Sequence, residues 1–565
     1  MDKLREFHTK HLVLHPRPGS FTAEGDSARW SNEDLDPVPQ EKKTWEWWHV
    51  GGFWIAEGFN PAQMQVPSSA VVMGLNPGLA MVACLVGNLL VTGPVCLVGW
   101  LGSKYSIPFP VIARASYGMI GAYWAMIIRG IFCVILYGVQ ATLGGNAVRC
   151  MLEAIWPSFA HWHLNSLPAS ADISAPDLLC FALFWLASFP LLFVPMSSLR
   201  WVFAVKIAIM PFFYVALFTW ALTAGHGVGP LFSIPTKITS GWSVGYVFCS
   251  TILATIGGNA SECARSSGRP LIKFFKVDLT KWESTAFAVN MADITRYAKN
   301  PRSAAIAQAF ALPICITMIE LLGAIMAATA QVVYGEVLWN PLTIILLWNN
   351  RAAKFFAGFL FAFATIATNV TGNSIPFAHD IMGIFPRYMN VRRGQVLCAI
   401  LGFAMNPWVI QARASRFFNF VGGYSIFLGP LVGIILCDYF LVRRSKPYNM
   451  FHLYRTEGLY WYWKGCNLRA LSAWLVGVIP LLPGLIHNIN PNIKMGRGIV
   501  EFFTMGWLDG LVITAITYYL LCLAFPVKTV VDDGSDVVIE AKDEESIRQV
   551  PATEKPVDVV GAKEI

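Results

Sequence analysis

The sequence predicts an all-α integral membrane protein of about twelve transmembrane helices. Two observations predict it. Of 565 residues, 55% are hydrophobic and 13% charged, with a mean hydropathy of +0.52, whereas soluble proteins carry about 25% charged residues. The apolar residues also fall into windows of the roughly 20 residues that cross about 30 Å of hydrocarbon, separated by polar breaks. Helices follow because the bilayer core holds no water and each segment must satisfy its own backbone hydrogen bonds.

Residues 1–43 form a polar lead-in without helical periodicity, ending in "EDLDPVPQEKK". The apolar windows follow at Trp48–Val71, Leu79–Leu101, Ile120–Ala141, Leu178–Met196, Val202–Thr223 and Val244–Asn259 with Phe287–Ile294. They continue at Ala304–Tyr334, Phe355–Phe377, Val396–Ile410, Phe418–Leu441, Leu471–Ile486 and Met505–Phe525. Residues 44–527 thus make the membrane core, and the acidic tail 528–565 reads as disordered. Lys542, Lys555 and Lys563 in that tail offer sites for modification by trafficking machinery, or simply a solvated end. The polar N-terminus carries no cleavable signal pattern.

Lys and Arg in the short loops set the orientation. Arg296, Lys299 and Arg302 follow the sixth span, Arg387, Arg392 and Arg393 the eighth, and Arg443, Arg444, Lys446 and Arg455 the tenth, while Met151 to Leu199 contains neither Lys nor Arg. Both termini are therefore expected in the cytoplasm; Arg351, Lys354, Arg413 and Arg416 fit this less well. The 12 cysteines are scattered without metal-ligand spacing and read as small core residues. The net charge of +8 lies mostly in loops, so no nucleic-acid surface is implied, and neither a metal nor another cofactor. No nucleophile–base pair or phosphate loop suggests an enzyme.

Interrupted membrane helices mark solute sites, because unwound backbone frees polar groups that a continuous helix keeps for itself. In the first span "WIAEGFNPAQMQV" gathers Glu57, Gly58, Asn60 and Pro61, and in the sixth "TIGGNA" gathers Gly257, Gly258 and Asn259. Breaks in the first and sixth spans are what two inverted five-helix repeats would produce. The third span, "IIRGIFCVILYGVQATLGGN", carries Gln140, an amide suited to a heterocycle with adjacent N–H and C=O groups; a lone membrane glutamine also serves as an interhelix hydrogen bond. Arg129 lies 11 residues earlier on nearly the same face, roughly 16 Å away, as a structural or gating charge. In the eighth span "FATIATNVTGNSIPFAHD" is too polar to face lipid, making Asn373 a second candidate solute ligand, with Asp380 as a gate or a helix cap.

These strings resemble a family, the nucleobase/cation symporters that include fungal uracil, allantoin, uridine and thiamine permeases. The resemblance rests on "DLDPVPQEKKTWEWWHVGGFWIAEGFN", "YSIPFPVIARASYG", "LYGVQATLGGN", "NMADITRYAKNPR", "ATNVTGNSIPFAHD", "NVRRGQ" and "GGYSIFLGPLVGIILCDYFLVRR", in family order from Asp34 to Arg444. It implies a leucine-transporter-like fold with two accessory helices after the repeats. Substrate is then expected among Gln140, Asn373, Asn60, Gly258, Asn259 and Tyr137. The family's cation site between the first and eighth helices maps to the Glu57–Asn60 region with Ala364, Ala367 and Thr368. Ala367 stands where sodium-coupled relatives have a hydroxyl residue, which favours H+ over Na+, with Glu57 as carrier. Leu136 stands where many relatives have a tryptophan that stacks on the heterocycle; Tyr137, about 100° around the helix, does not replace it, which favours a solute other than uracil.

The expectation is a plasma-membrane proton symporter importing a nucleobase-like heterocycle, nucleoside or vitamin by alternating access. The alternative is a non-transporting nutrient sensor on the same scaffold. One segment resists both readings: Ser261 to Thr285 separates "GGNA" from "AFAVNMADITRY" with Arg265, Arg269, Lys273, Lys276 and Lys281. A cation at the bilayer centre costs about 3 kcal/mol, so five do not stay there. Either the segment loops out and divides the sixth helix, or it is translated intron in a chain that does not function as written.

Overall fold

The computed structural model describes residues 13–227, 290–408 and 425–527 apart from short gaps, with scattered positions between 244 and 255. Among these the chain is helical and contains no strand. The first apolar window is two helices of 12 residues, α1 (Trp47–Gly58) and α2 (Pro61–Val72). There follow α3 (Pro77–Tyr105), the short α4 (Phe109–Tyr117), α5 (Ala122–Ile155), α6 (Ala175–Leu192) and α7 (Met196–Ala224). Beyond the sixth window come α8 (Pro301–Tyr334), α9 (Pro341–Leu346), α10 (Arg351–Asn369), α11 (Ile375–Ile384), α12 (Val391–Ala404) and α13 (Ser425–Leu436). The last part comprises α14 (Leu468–Val478), α15 (Leu482–Ile489), α16 (Arg497–Phe503) and α17 (Gly506–Ala524).

Among the described residues, eight helical stretches are long and apolar enough to cross a membrane, and each coincides with one of the expected windows. The first, ninth and tenth windows form shorter helices, and most of the sixth lies outside the described residues. Asparagines set many helix starts. Asn76, Asn300, Asn340, Asn350 and Asn390 each accept a backbone N–H of the first turn, answering donors that helix geometry leaves open.

The core pairs α8 with α1, α2 and α3, and α5 with α10 and α11. Close approach depends on small residues. A Cβ on Gly323 of α8 would lie 1.9 Å from the Met64 carbonyl oxygen of α2, so the two backbones touch. Ser68 Oγ sits 2.7 Å from Met64 O and 2.8 Å from Gly323 O at the same crossing.

Two features depart from the sequence reading. The stretch before α1 is more than a lead-in: Trp30, Leu35 and Val38 are buried. Asn32 Nδ2 donates to Pro386 O and Met389 O, and Arg296 donates to Asp34 O and Asp36 O, at 2.6–2.9 Å. Arg351, a misfit for the orientation, donates to Ala154 O (2.8 Å) and Ile155 O (2.6 Å) at the end of α5. A cation there answers the open carbonyls and negative dipole of the helix C-terminus, whichever side it faces.

Candidate functional site

The first helix breaks where the sequence places Gly58, Asn60 and Pro61. Phe59 N–H closes α1 on Ile55 O, Asn60 N–H turns back to Gly58 O at 2.7 Å, and Asn60 Oδ1 accepts Ala62 N–H at 3.0 Å to start α2. Asn60 is therefore the hinge's own cap as well as a candidate ligand. Gly58 is needed for contact, since a Cβ would meet Ile319 Cδ1 at 2.6 Å.

Glu57, the last acidic residue before the break, is fully buried. Its Oε1 accepts the Thr371 hydroxyl at 2.5 Å, and Oε2 meets no donor among the described residues. Lys206, from the middle of α7, reaches into the same cluster, donating to Ala364 O at 3.0 Å and Thr368 Oγ1 at 2.8 Å. Thr368 thus accepts from the ammonium and helps seat a buried cation whose opposite charge acts on Glu57. The Ala367 carbonyl accepts from Thr371 at 3.0 Å, so this residue contributes backbone where its side chain offers no oxygen. Lys206 was not among the sequence candidates. Its signal was available: an ionisable residue inside an apolar span marks function by default.

The polar run of the eighth span opens into a π-helical turn, Val370–Ser374, between α10 and α11. Such a turn widens the helix and frees backbone groups, a form frequent at functional sites. Gly372 O accepts Asn290 Nδ2 at 2.9 Å, from the second half of the sixth helix. Asn373 Nδ2 donates to Asn369 Oδ1 (2.9 Å), whose own Nδ2 donates to Tyr137 O (3.1 Å) one turn before Gln140. The two expected amide ligands, Gln140 and Asn373, thus belong to elements stitched together by Asn369. Both are 3% exposed, an arrangement closed to solvent.

Tyr137 is turned elsewhere: its hydroxyl bonds to Ser188 Oγ at 3.1 Å, and its ring packs 2.8 Å from where a Cβ on Gly402 would lie. Gly258 and Asn259, with the whole segment Ser261–Thr285, lie outside the described residues.

Asp380 sits well inside α11 and caps no helix end. Arg129 grips it with two bonds, Nε to Oδ2 at 2.7 Å and Nη2 to Oδ1 at 2.6 Å, and reaches Asp293 Oδ2 with Nη1 at 2.8 Å. Asp293 follows Asn290 in the sixth helix and also accepts Phe109 N–H at 2.9 Å. One buried guanidinium therefore ties the third, sixth and eighth helices together, with its charge over the Phe109 ring at 4.0 Å.

The chain matches the family described as "Permease for cytosine/purines, uracil, thiamine, allantoin" over residues 37–266 and 281–510. It belongs to that family. It is 30% identical over 508 residues to the allantoin permease and to the uracil permease of Saccharomyces cerevisiae, covering 88% of this chain and 76% of each relative. In fold it is similar to Mhp1, a nucleobase-cation-symport-1 family transporter solved in a closed conformation with bromovinylhydantoin bound, at a TM-score of 0.67 and 19% identity, with 88% of this chain and 97% of that chain covered. A Na+-coupled sialic acid symporter also matches, at a TM-score of 0.56 and 12% identity over 90% of this chain and 95% of that chain. The fold is thus the leucine-transporter-like arrangement of two inverted five-helix repeats with two accessory helices. The protein is a multi-pass membrane transporter and not an enzyme.

Proposed function

We propose that this transporter imports a nucleobase-like heterocycle, nucleoside or vitamin across the plasma membrane, driven by protons, with both termini in the cytoplasm. The observation that carries the coupling is the Lys206 ammonium, seated between Ala364 O and Thr368 Oγ1 beside Glu57. That is the region between the first and eighth helices where the resemblance places a coupling cation. A tethered cation there leaves the proton as the exchangeable charge, and Glu57 as its acceptor.

The chemistry follows from the contacts. With Glu57 ionised, its bond to Thr371 and its attraction to Lys206 hold α1 against the π-helical turn and α7. A proton on Glu57 removes the attraction and frees α1 to move, so proton binding and the rocking of the first and sixth helices become one event. Solute is held by the Gln140 and Asn373 amides, which present both donors and acceptors to a ring bearing adjacent N–H and C=O groups. Arg129, joining Asp293 to Asp380, serves as the cytoplasmic gate.

Uptake measured across pH with and without sodium tests the coupling; sodium-dependent uptake indifferent to pH ends the proton reading. Competition by uracil, allantoin, uridine and thiamine against labelled solute identifies the substrate class. With Leu136 in place of a stacking tryptophan, uracil is expected to compete less well than larger solutes.

A further inference from the structure

Besides Glu57 and the two carboxylates held by Arg129, another carboxylate is buried in the membrane core. Glu320 of α8 is fully buried. No ion pair to it occurs among the described residues, and the side chain that answers it is an amide: Asn88 Nδ2 of α3 donates to Glu320 Oε2 at 2.7 Å. The second hydrogen of Asn88 Nδ2 goes to Thr317 Oγ1 at 2.9 Å. Asn88 has then used both donors. What remains are two buried oxygens, Glu320 Oε1 and Asn88 Oδ1, and neither meets a donor among the described residues.

Two buried acceptors without a donor, on side chains already bonded to each other, lack one hydrogen. A carboxylic acid supplies it, because a protonated carboxyl has one O–H donor while keeping its other oxygen as an acceptor. We propose that Glu320 and Asn88 form a proton-binding site separate from the coupling site, in which Glu320 is the neutral acid. Its Oε1–H donates to Asn88 Oδ1 while Asn88 Nδ2 donates to Oε2, a reciprocal acid–amide pair. A water molecule would satisfy the oxygens and leave a negative charge buried without a countercharge; the proton removes both defects.

The proton is resident, not carried. The titratable groups on the long helices packed against α8 are Cys84, Cys96, Lys104 and Tyr105 on α3, His49 and Glu57 on α1, and Arg200, Lys206 and Tyr214 on α7. Of these, Lys206 is bonded to Ala364 O and Thr368 Oγ1 of α10, and Glu57 to Thr371 of the π-helical turn. The pair itself joins α3 to α8 alone, two helices that pack along their lengths. It fastens them to each other as one unit.

Infrared spectroscopy on the purified full-length protein tests the protonation. A C=O band of a protonated carboxyl is expected at neutral pH and lost in Glu320→Gln. Its absence from the native protein at neutral pH overturns the proposal. Uptake supplies an independent readout. Glu320→Gln keeps the hydrogen that Asn88 Oδ1 requires, so uptake and its pH profile stay at native values, whereas Glu320→Ala loses most uptake. The exchange Asn88→Asp with Glu320→Gln rebuilds the acid–amide pair from side chains of the same lengths and retains uptake. Loss of uptake in Glu320→Gln, at native surface level or through misfolding, overturns the proposal. So does a sodium-induced rise in melting temperature that Glu320→Gln abolishes, which would place a metal cation between the two oxygens.

Discussion

Lys206→Met removes the cation while keeping the stem that fills the space beside α10. The structure sets what is lost. Ala364 O and Thr368 Oγ1 lose a charged donor, at 3.0 and 2.8 Å. Glu57, fully buried, loses its nearby countercharge and keeps only the Thr371 hydroxyl. Leaving a buried charge without its countercharge costs about 3–5 kcal/mol, which at 1.4 kcal/mol per factor of ten disfavours the ionised Glu57 by roughly 10²- to 4 × 10³-fold. Glu57 then keeps its proton through the cycle, and solute equilibrates without being concentrated. The assay is accumulation of labelled solute in permease-deficient cells, with and without a proton ionophore. In Lys206→Met, accumulation should fall to the level that the ionophore imposes on the native protein. The double variant Lys206→Met with Glu57→Gln, neutral throughout, should recover melting temperature but not accumulation. Lys206→Met that still accumulates solute in an ionophore-sensitive way refutes the role given to this lysine.

Gln140→Ala and Asn373→Ala should each abolish saturable uptake at native surface level, since each removes an amide that no neighbour replaces; unchanged transport takes that residue out of the site. Arg129→Ala leaves Asp293 and Asp380 buried without their shared cation, so about 3–5 kcal/mol of stability is lost and the melting temperature falls sharply. Asp380→Asn, which keeps an acceptor for Arg129, should fold and transport with an altered rate. Gly323→Ala drives a methyl into the Met64 carbonyl and should cost about 1–3 kcal/mol, read by thermal unfolding of the purified protein.

Much of the site was legible because the bilayer makes polar residues conspicuous. Glu57, Asn60 and Pro61 within "WIAEGFNPAQMQV", and the run from Thr368 to Ser374, stand out against apolar neighbours, and both prove to be departures from regular α-helix. Partnerships were not legible. Arg129 finds Asp380 at a separation of 251 residues and Asp293 at 164, and nothing local to any of them specifies the others. Lys206 was overlooked because a single charge barely lowers the hydropathy of "VFAVKIAIMPFF", although its position at mid-span carried the information. The docking of Asn32 and Leu35 was hidden for another reason: without helical or strand periodicity, a segment held by hydrogen bonds to distant loops looks like a tail.

The sixth helix supports one further prediction. On its near side, Thr255 packs against α3, where a Cβ on Gly87 would meet its Cβ at 2.7 Å. On its far side, Asn290 holds Gly372 O, and Asp293 receives Arg129. The far-side anchor belongs to the candidate site, and the family match leaves residues 267–280 between the two uncovered. That uncovered stretch falls within Ser261–Thr285, whose cations cannot reside at mid-membrane without about 3 kcal/mol each. A site that depends on the spacing of two half-helices is best served when Ala260 runs nearly directly into Phe287. Transcripts sequenced from the source should therefore lack the codons for about Ser261–Thr285, and a chain joined in this way should transport at least as well as the full sequence. If every spliced message encodes the segment and its removal abolishes uptake, the segment is a true loop that divides the helix, and the intron reading is wrong.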